Sequence, residues 1–377
     1  MRVRISILLG FFGGLCACGS SAGLSSGAGA YSSESGGSGG AGSGGTHGDG
    51  VAAAGGGSSA GDSASNGGAG QGSGGQPGVL TSGIWDDNLN YSFFTSYLQS
   101  HRGQNAIQGD PGFAQADYDA SNLMFAQRSS YTNIDAALVI DTTGSMEDEI
   151  TYLTAEFANI AGTIQSAYPN ATQRWALIVY RDTQDTDPDD DYVVKTYDFS
   201  DPATFSDNIA SQYAANGGDY PESPERGLEQ LKTLSWSTDV STAKIAFWVA
   251  DAPQHGYRAA DMKQAISDTL AAGIHVYPVS ASGTDELLEL TMRSAAQLTG
   301  GRYLFLTDDS GVGDPHKAPE IPCYYVTRLA KALERVATME ISGTYIPPAP
   351  ADIIRTDGDP NAAGTCMTSD DVAVRIF

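Results

Sequence analysis

The sequence has 377 residues and a formal net charge of -25, from 20 Lys and Arg against 45 Asp and Glu. Such an acidic excess repels nucleic-acid phosphates and anionic membrane surfaces, which excludes nucleic acid as a partner. Proteins, cations and basic surfaces are the partners that this charge favours.

The amino terminus has the pattern of an export signal. Arg2 and Arg4 precede an apolar run at residues 5–15. A helix needs roughly 20 apolar residues to cross a bilayer, so this run is too short to be a mature membrane span. The pattern predicts a secretory signal.

The apolar run ends in Leu15-Cys16-Ala17-Cys18-Gly19, which resembles the lipobox of bacterial lipoproteins. The resemblance implies that residues 1–18 are a lipoprotein signal peptide and that Cys18 is lipidated. The lipid would anchor the protein in the bacterial cell envelope, at the outer membrane or the cell surface. A plain signal peptide cleaved near Ala17, or a metal-binding pair of Cys16 and Cys18, are the alternatives.

Residues 19–79 consist mainly of Gly, Ser and Ala and contain few branched apolar side chains. Such a segment cannot bury enough surface to offset its conformational entropy, which predicts a disordered tether. Beyond it, Cys323 and Cys366 would be the remaining thiols in an oxidising compartment. We expect them to form a disulfide, with two free buried thiols as the alternative.

The rest of the chain divides into three parts. Residues 80–131 carry many aromatic side chains and are expected to pack against the main sheet. Residues 132–310 alternate short apolar runs with amphipathic stretches, which predicts a doubly wound α/β fold with a mostly parallel sheet flanked by helices. Residues 311–377 are expected to form a helix and a tail held by the disulfide.

Within the alternating part, short continuous apolar runs indicate strands and longer periodic stretches indicate helices. The predicted strands are 136–140, 175–180, 192–199 at an edge, 245–250, 274–279 and 303–306. The predicted helices are 146–167, 202–215, 223–234, 261–272 and 285–298.

Polar clusters occur in three of the loops at the carboxyl ends of these strands, where open α/β sheets bind ligands. Asp141, Thr143 and Ser145 follow the first strand, Asp219 precedes a helix, and Asp251 ends the fourth strand. Carboxylates and hydroxyls are hard oxygen ligands, so these residues predict a divalent-cation site, with Mg²⁺ favoured and Mn²⁺ or Ca²⁺ as alternatives. Zinc is excluded because no imidazole or thiolate cluster accompanies them.

Asp141-x-Thr143-x-Ser145 matches the D-x-[ST]-x-S signature of the metal-ion-dependent adhesion site, and residues 134–306 resemble a von Willebrand factor type A domain. The resemblance implies a Rossmann-like sheet and a cation held by Asp141, Thr143, Ser145, Asp219 and Asp251. It also implies a protein ligand that can complete the metal shell with an acidic side chain.

Further motifs are similar to the subgroup that includes the N-terminal domain of alpha-kinase-type proteins. They are Tyr-Arg-Asp at residues 180–182, Gly-Gly-Asp-x-Pro-Glu at 217–222 and Asp-Ala-Pro-x-His-Gly at 251–256. Because these motifs lie near the same face of the sheet, Arg181, Asp182, Glu222 and His255 are expected to contact the partner. An ordinary ion pair between Arg181 and Asp182, and a role of His255 as a general base or as a structural residue, are the alternatives. Integrin-like members carry a threonine in the second loop where this chain has Asp219, which would make the cation less attractive to an acidic ligand.

Purely structural roles are the alternative. Ser145 could cap the following helix with Asp148 as its capping-box partner, and Asp251 could be only a hydrogen-bond acceptor. The favoured function is a non-enzymatic adhesion or protein-binding module of the cell envelope. A metal-dependent hydrolase, or a structural or regulatory envelope subunit, are the other hypotheses. Against the hydrolase, no Ser-His-Asp set is recognisable in the sequence outside the Gly/Ser tether.

Overall fold

The structure is a computed structural model that describes residues 75–102, 107–182, 191–218 and 220–377. The predicted signal peptide, the lipidation site Cys18 and the predicted tether up to residue 74 lie outside the described residues. Asp219 lies outside them as well.

Strands form where β-branched and aromatic residues cluster, and helices where apolar residues recur every three or four positions. The strands are β1 (Thr81–Trp85), β2 (Asn133–Asp141), β3 (Gln173–Tyr180), β4 (Val194–Ser200), β5 (Thr242–Ala250), β6 (His275–Ser280), β7 (Tyr303–Leu306), β8 (Tyr324–Arg328), β9 (Ile353–Asp357), β10 (Thr365–Met367) and β11 (Ala373–Arg375). The α-helices are α1 (Tyr91–Arg102), α2 (Gln115–Met124), α3 (Glu147–Ala167), α4 (Pro202–Ala210), α5 (Pro224–Gln230), α6 (Ala259–Ala271), α7 (Glu286–Thr299) and α8 (Leu329–Ser342).

In the described part of the chain, nine strands form one sheet in the order β4-β3-β2-β5-β6-β7-β1-β8-β9. The central strands β3, β2, β5, β6 and β7 run parallel to one another. The flanking strands β4, β1, β8 and β9 pair antiparallel with their neighbours. The predicted α/β fold, with a mostly parallel central sheet, is confirmed.

Alternate residues of the central strands pack on opposite faces of the sheet, as the two-residue period of a strand requires. On β2, Leu138 and Ile140 belong to one core, whereas Ala137 and Val139 belong to the other. Helices α3, α4 and α8 cover the first face, and α1, α2, α5, α6 and α7 cover the second. Both faces are therefore buried, which explains the continuous apolar runs in the sequence.

The sheet also contains strands that precede and follow residues 132–310 in the sequence. Residues 80–131 pack against the sheet through α1 and α2, and they also contribute a strand to it, because β1 is inserted between β7 and β8. Oε1 of the buried Glu156 on α3 accepts hydrogen bonds from the N–H groups of Gly78, Val79 and Leu80, at 2.8, 3.0 and 3.3 Å. These bonds fix the backbone just before β1.

The C-terminal tail also joins the fold. Strand β9 pairs with β8, and β10 forms a small hairpin with β11. Cys323 and Cys366 form a disulfide bond, as predicted, with their Cα atoms 6.1 Å apart. The bond links the start of β8 to the hairpin.

One predicted helix is shorter than expected. The pattern predicts a helix at residues 202–215, but α4 ends at Ala210. The backbone N–H of Ala215 instead donates to the carbonyl of Thr142 at 3.0 Å. None of the helices in the described residues has the length and apolarity that a membrane span requires.

Candidate functional site

The strand order places the candidate site. From β2 the chain continues to β3 and β4 on one side of the sheet, whereas β5, β6 and β7 lie on the other side. The carboxyl ends of β2 and β5 therefore border the point at which the strand order reverses, where ligands bind in open α/β sheets. Asp141 is the last residue of β2, and Asp251 follows directly after β5.

Polar side chains lead from Asp141 towards Asp251. The backbone N–H and the hydroxyl of Thr143 donate to Oδ1 of Asp141, at 2.9 and 2.7 Å. The hydroxyl oxygens of Thr143 and Ser145 lie 3.2 Å apart, and the hydroxyl of Ser145 lies close enough to the carboxylate of Asp251 to lower its pKa. These four predicted ligands, all in the described residues, thus come together at one point of the sheet edge.

The two carboxylates are buried with some of their oxygens unpaired. Asp141 is 0% exposed and Asp251 is 5% exposed. Oδ2 of Asp141 and Oδ1 of Asp251 have no hydrogen-bond partner among the described residues. Burial raises the pKa of Asp141, and the charge of Asp251 raises it further, against the hydrogen bonds from Thr143. Burial also raises the pKa of Asp251, the nearby hydroxyl of Ser145 opposes the increase, and the charge of Glu149 adds to it.

This donor set fits a hard divalent cation. Burying two neighbouring carboxylates is costly unless positive charge compensates them, and carboxylate and hydroxyl oxygens are the ligands that Mg²⁺ and Ca²⁺ prefer. Among the described residues, which do not include Asp219, no group of three or more His, Cys, Asp or Glu side chains is arranged to hold a metal ion. Asp141 and Asp251 are the predicted carboxylate ligands among the described residues, and the carboxylate of Glu222 lies near Thr143 as well.

The residues on either side of Asp219 pack against the same site. The N–H of Gly144 donates to the carbonyl of Asn216 at 2.7 Å, which joins the loop before Asp219 to the first motif. After Asp219, the N–H of Glu222 donates to the carbonyl of Pro253 at 3.0 Å, beside Asp251. The segment that contains Asp219 is therefore held at both ends by the loops that carry Asp141 and Asp251.

The capping role considered for Ser145 is wrong. Ser145 lies in a short 3₁₀ helix, Gly144–Met146, and the N-cap residue of α3 is Met146, which makes no side-chain capping bond. The hydroxyl of Ser145 contacts the hydroxyl of Thr143 instead, at 3.2 Å.

The residues expected to contact a partner are all buried. Arg181, Asp182, Glu222 and His255 are 1%, 0%, 5% and 6% exposed. Nε of Arg181 donates to the carbonyl of Thr142 at 3.1 Å. In this conformation these side chains hold the loops of the site together.

A contact that the sequence did not reveal joins Ser223, Asp182 and His255. The hydroxyl of Ser223 donates to Oδ1 of Asp182 at 3.0 Å, and Nε2 of His255 lies 2.8 Å from the same oxygen. The sequence motifs gave no indication that these three side chains would lie together. The geometry differs from a nucleophilic triad, in which the serine hydroxyl contacts the histidine and the histidine contacts the aspartate. Here both residues bind one carboxylate oxygen.

Exposed tyrosines surround these loops, and the sequence analysis did not single them out. Tyr213, Tyr220 and Tyr257 are 60%, 52% and 65% exposed. Tyr213 lies over the guanidinium of Arg181, and Tyr257 packs against His255. A signal was present in the sequence, because Tyr220 and Tyr257 each lie within a polar motif or next to one.

Residues 136–282 match the family model of the von Willebrand factor A domain. The matched region contains each of the predicted cation ligands, from Asp141 to Asp251. The resemblance stated from the motifs is thus confirmed for this part of the chain. A search of curated proteins found no match.

Solved structures with similarity to this chain include the pilus adhesin SpaC from Lactobacillus rhamnosus GG. In its open conformation the adhesin is 13% identical, with a TM-score of 0.35, over 58% of this chain and 30% of the adhesin. A second SpaC structure is 14% identical, with a TM-score of 0.34, over 46% of this chain and 28% of the adhesin. A von Willebrand factor type A protein from Catenulispora acidiphila is 16% identical, with a TM-score of 0.31, over 46% of this chain and 43% of that protein. The alignments span less than half of each of these proteins.

Proposed function

We propose that this protein is a cell-envelope adhesion or protein-binding module whose recognition depends on a divalent cation at the carboxyl ends of β2 and β5. The observation that carries the proposal is the buried pair Asp141 and Asp251, whose unpaired oxygens lie next to the hydroxyls of Thr143 and Ser145. The match of residues 136–282 to the von Willebrand factor A domain supports it.

Asp141, Thr143, Ser145 and Asp251 would hold the cation together with Asp219. Mg²⁺ is the favoured ion, and Mn²⁺ or Ca²⁺ would suit the same oxygens. When bound, the cation would supply a positive centre to which an acidic side chain of a partner protein can bind. The hydrogen bonds from Thr143 orient Asp141 for this role before any cation arrives.

The surroundings of the site suit a protein partner. The exposed Tyr213, Tyr220 and Tyr257 offer rigid aromatic area with a polar tip, as the recognition surfaces of many protein complexes do. The buried Arg181, Asp182, Glu222 and His255 would act indirectly, because they fix the loops. Asp219, in place of the threonine of integrin-like members, would bind the cation more tightly and weaken its attraction for an acidic ligand.

The location in the envelope rests on the lipobox-like sequence that ends at Cys18. The disulfide between Cys323 and Cys366 is consistent with an oxidising compartment outside the cytoplasm. Lipidation of Cys18 would attach the chain to a membrane, with residues 19–79 as the proposed tether. The kinase-associated subgroup assignment is likewise a proposal, based on the motifs at residues 180–182, 217–222 and 251–256.

A non-enzymatic role is favoured over a hydrolase. Ser223 and His255 both bind Oδ1 of Asp182 and are buried, so this arrangement offers no activated nucleophile. No other observation on the described residues favours a reaction over binding. A structural or regulatory subunit with an inactive cation site is the remaining alternative.

Calorimetric titration of Mg²⁺, Mn²⁺ and Ca²⁺ into the full chain tests the proposal. We expect saturable binding that Asp141→Ala abolishes and that Asp207→Ala, which removes an exposed carboxylate on α4, leaves unchanged. Capture of an envelope partner should then require the cation and be lost with Asp141→Ala. Absence of binding by the unaltered chain would favour the structural role, whereas capture that survives Asp141→Ala would disprove the cation-dependent mechanism.

A further inference from the structure

A cavity lies away from the candidate cation site. It has a volume of about 210 Å³ and is formed by β8, the first turns of α8 and the segment that leads to β9. Its polar lining comprises Thr327, Lys331, Glu334, Arg335, Thr338 and Asp352, and residues 346–349 supply the apolar wall. None of the proposed cation ligands lines it.

Arg335 is the unusual member of this lining. It is 8% exposed, and its Nε atom is buried without a hydrogen-bond partner among the described residues. Within the same residues no carboxylate lies within 4.0 Å of its guanidinium. Buried arginines elsewhere in the domain are paired, as Arg302 is with Asp86 at 2.9 Å and Arg128 with Glu340 at 2.8 Å. Arg335 thus lacks the carboxylate partner that buried arginines normally have.

The electrostatic surroundings agree with this geometry. Burial lowers the pKa of Arg335 to about 10, and the charge of Arg302 acts in the same direction. The phenol of Tyr345 and the carboxylate of Asp352 oppose the decrease without forming an ion pair. At neutral pH the side chain remains charged, so the cavity contains a buried positive group that an anion would stabilise.

The other charges of the cavity limit what that anion can be. Lys331 is paired with Glu334 at 2.9 Å, which leaves Lys331 little free charge to offer. Asp352 adds a further negative charge. Because the two cations and the two carboxylates balance, a monoanion would be accepted more readily than a dianion such as phosphate. The apolar wall at residues 346–349 would contact a short hydrocarbon body.

We propose that this cavity binds a small monocarboxylate, whose two oxygens pair with the guanidinium of Arg335. A planar guanidinium matches a carboxylate in a two-bond geometry. The cavity would hold about seven water molecules at roughly 30 Å³ each, which is enough for a carboxylate with a few carbon atoms. The ligand can be a free organic acid or the carboxyl terminus of a peptide, since both present the same group.

Titration of the full chain with butyrate, N-acetylalanine and inorganic phosphate, followed by calorimetry, tests the proposal. Butyrate represents a free acid and N-acetylalanine a peptide terminus, so tighter binding of one identifies the source. We expect Arg335→Met to weaken carboxylate binding by roughly tenfold or more. The double variant Lys331→Met/Glu334→Gln, which removes a paired cation and carboxylate and so keeps the net charge of the cavity, should change it by less than about threefold.

The outcomes that overturn the proposal are specific. They are no carboxylate binding to the unaltered chain, phosphate binding as tightly as the carboxylates, or equal losses in Arg335→Met and Lys331→Met/Glu334→Gln. Stability provides an independent measurement, because replacing an unpaired buried charge with an apolar side chain of similar size should leave the ligand-free protein at least as stable. Clear destabilisation by Arg335→Met would show that Arg335 is a structural residue and would also overturn the proposal.

Discussion

Gly217 lies against Thr143 so closely that a Cβ atom on Gly217 would fall 2.8 Å from the Cβ atom of Thr143. Gly217 also has a φ of +106°, a backbone conformation that residues other than glycine rarely adopt. Because glycine has no Cβ atom, the loop that precedes Asp219 can approach the first motif at this position. The proposed cation site depends on this contact between two loops.

We predict that Gly217→Ala lowers the affinity for the cation by at least roughly tenfold, because the loop must move away from Thr143. Gly162→Ala is the matched control. Gly162 lies within α3, and a Cβ there would meet nothing within 4 Å. This control should keep full affinity and gain up to about 1 kcal/mol of stability from helix propensity. Calorimetry and thermal unfolding measure both effects, and unchanged cation affinity in Gly217→Ala would contradict the prediction.

Ser145→Ala should weaken cation binding by roughly tenfold, because it removes one proposed oxygen ligand and its contact with Asp251. Ser223→Ala removes another serine hydroxyl nearby, one that donates to Asp182. It should leave the affinity within about twofold and cost about 1 kcal/mol of stability through the lost hydrogen bond. If Ser145→Ala and Ser223→Ala lost the same affinity, the loss would come from disorder of the loops and not from removal of a cation ligand.

Glu225→Gln is predicted to change the dependence of stability on pH. Both carboxylate oxygens of Glu225 are buried without hydrogen-bond partners among the described residues, and burial raises its pKa to about 7. An unfolded glutamate has a pKa of about 4.3. Between these values the folded protein binds more protons than the unfolded chain, so this group lowers the stability as the pH rises and has no further effect above pH 7.

The free energy of unfolding of Glu225→Gln, measured relative to that of the unaltered protein, should therefore increase by about 3 kcal/mol between pH 4 and pH 8. Urea unfolding at both pH values measures this difference. Glu229→Gln serves as the control, because Glu229 lies on the same helix with a partly exposed carboxylate paired with Arg226. If the difference in free energy of unfolding between Glu225→Gln and the unaltered protein did not change with pH, burial would not destabilise the charged form of Glu225.

Loss of the disulfide should destabilise the domain. Cys323 and Cys366 are 43 residues apart in the sequence, and closing a loop of this length restricts the unfolded chain by about 4 kcal/mol. We expect the double variant Cys323→Ser/Cys366→Ser to lose a large part of this free energy in denaturant unfolding. The unaltered protein treated with a reductant should show the same loss. A change below about 1 kcal/mol would mean that the tail is held by its other contacts.

The sequence was informative where the structure depends on local pattern. The buried strands β2, β3 and β5 are continuous apolar runs, and each was predicted within a few residues of its bounds. The four proposed cation ligands that come together were predicted because each lies at a strand end or beside one, and the topology of an α/β sheet brings those ends together.

The features that the sequence could not predict depend on contacts between residues far apart in the chain. Strand β1 is only five residues long, and its register is set by β7, where Ser82 pairs with Leu306. Helix α4 ends early because Ala215 bonds to Thr142, a contact between residues far apart in the chain. The burial of Arg181 and His255 and the missing partner of Arg335 are likewise properties of packing, which no short motif encodes.

The three hydrogen bonds between Glu156 and the backbone of residues 78–80 also have a mechanical meaning. A pulling force that enters the domain through Gly78 meets these bonds first and then reaches β1. Because β1 is bonded to β7 on one edge and to β8 on the other, a pull along the strand loads both rows of bonds at once. The chain therefore enters the sheet where it resists shear, which is the property that the proposed tether and the proposed adhesive function would require.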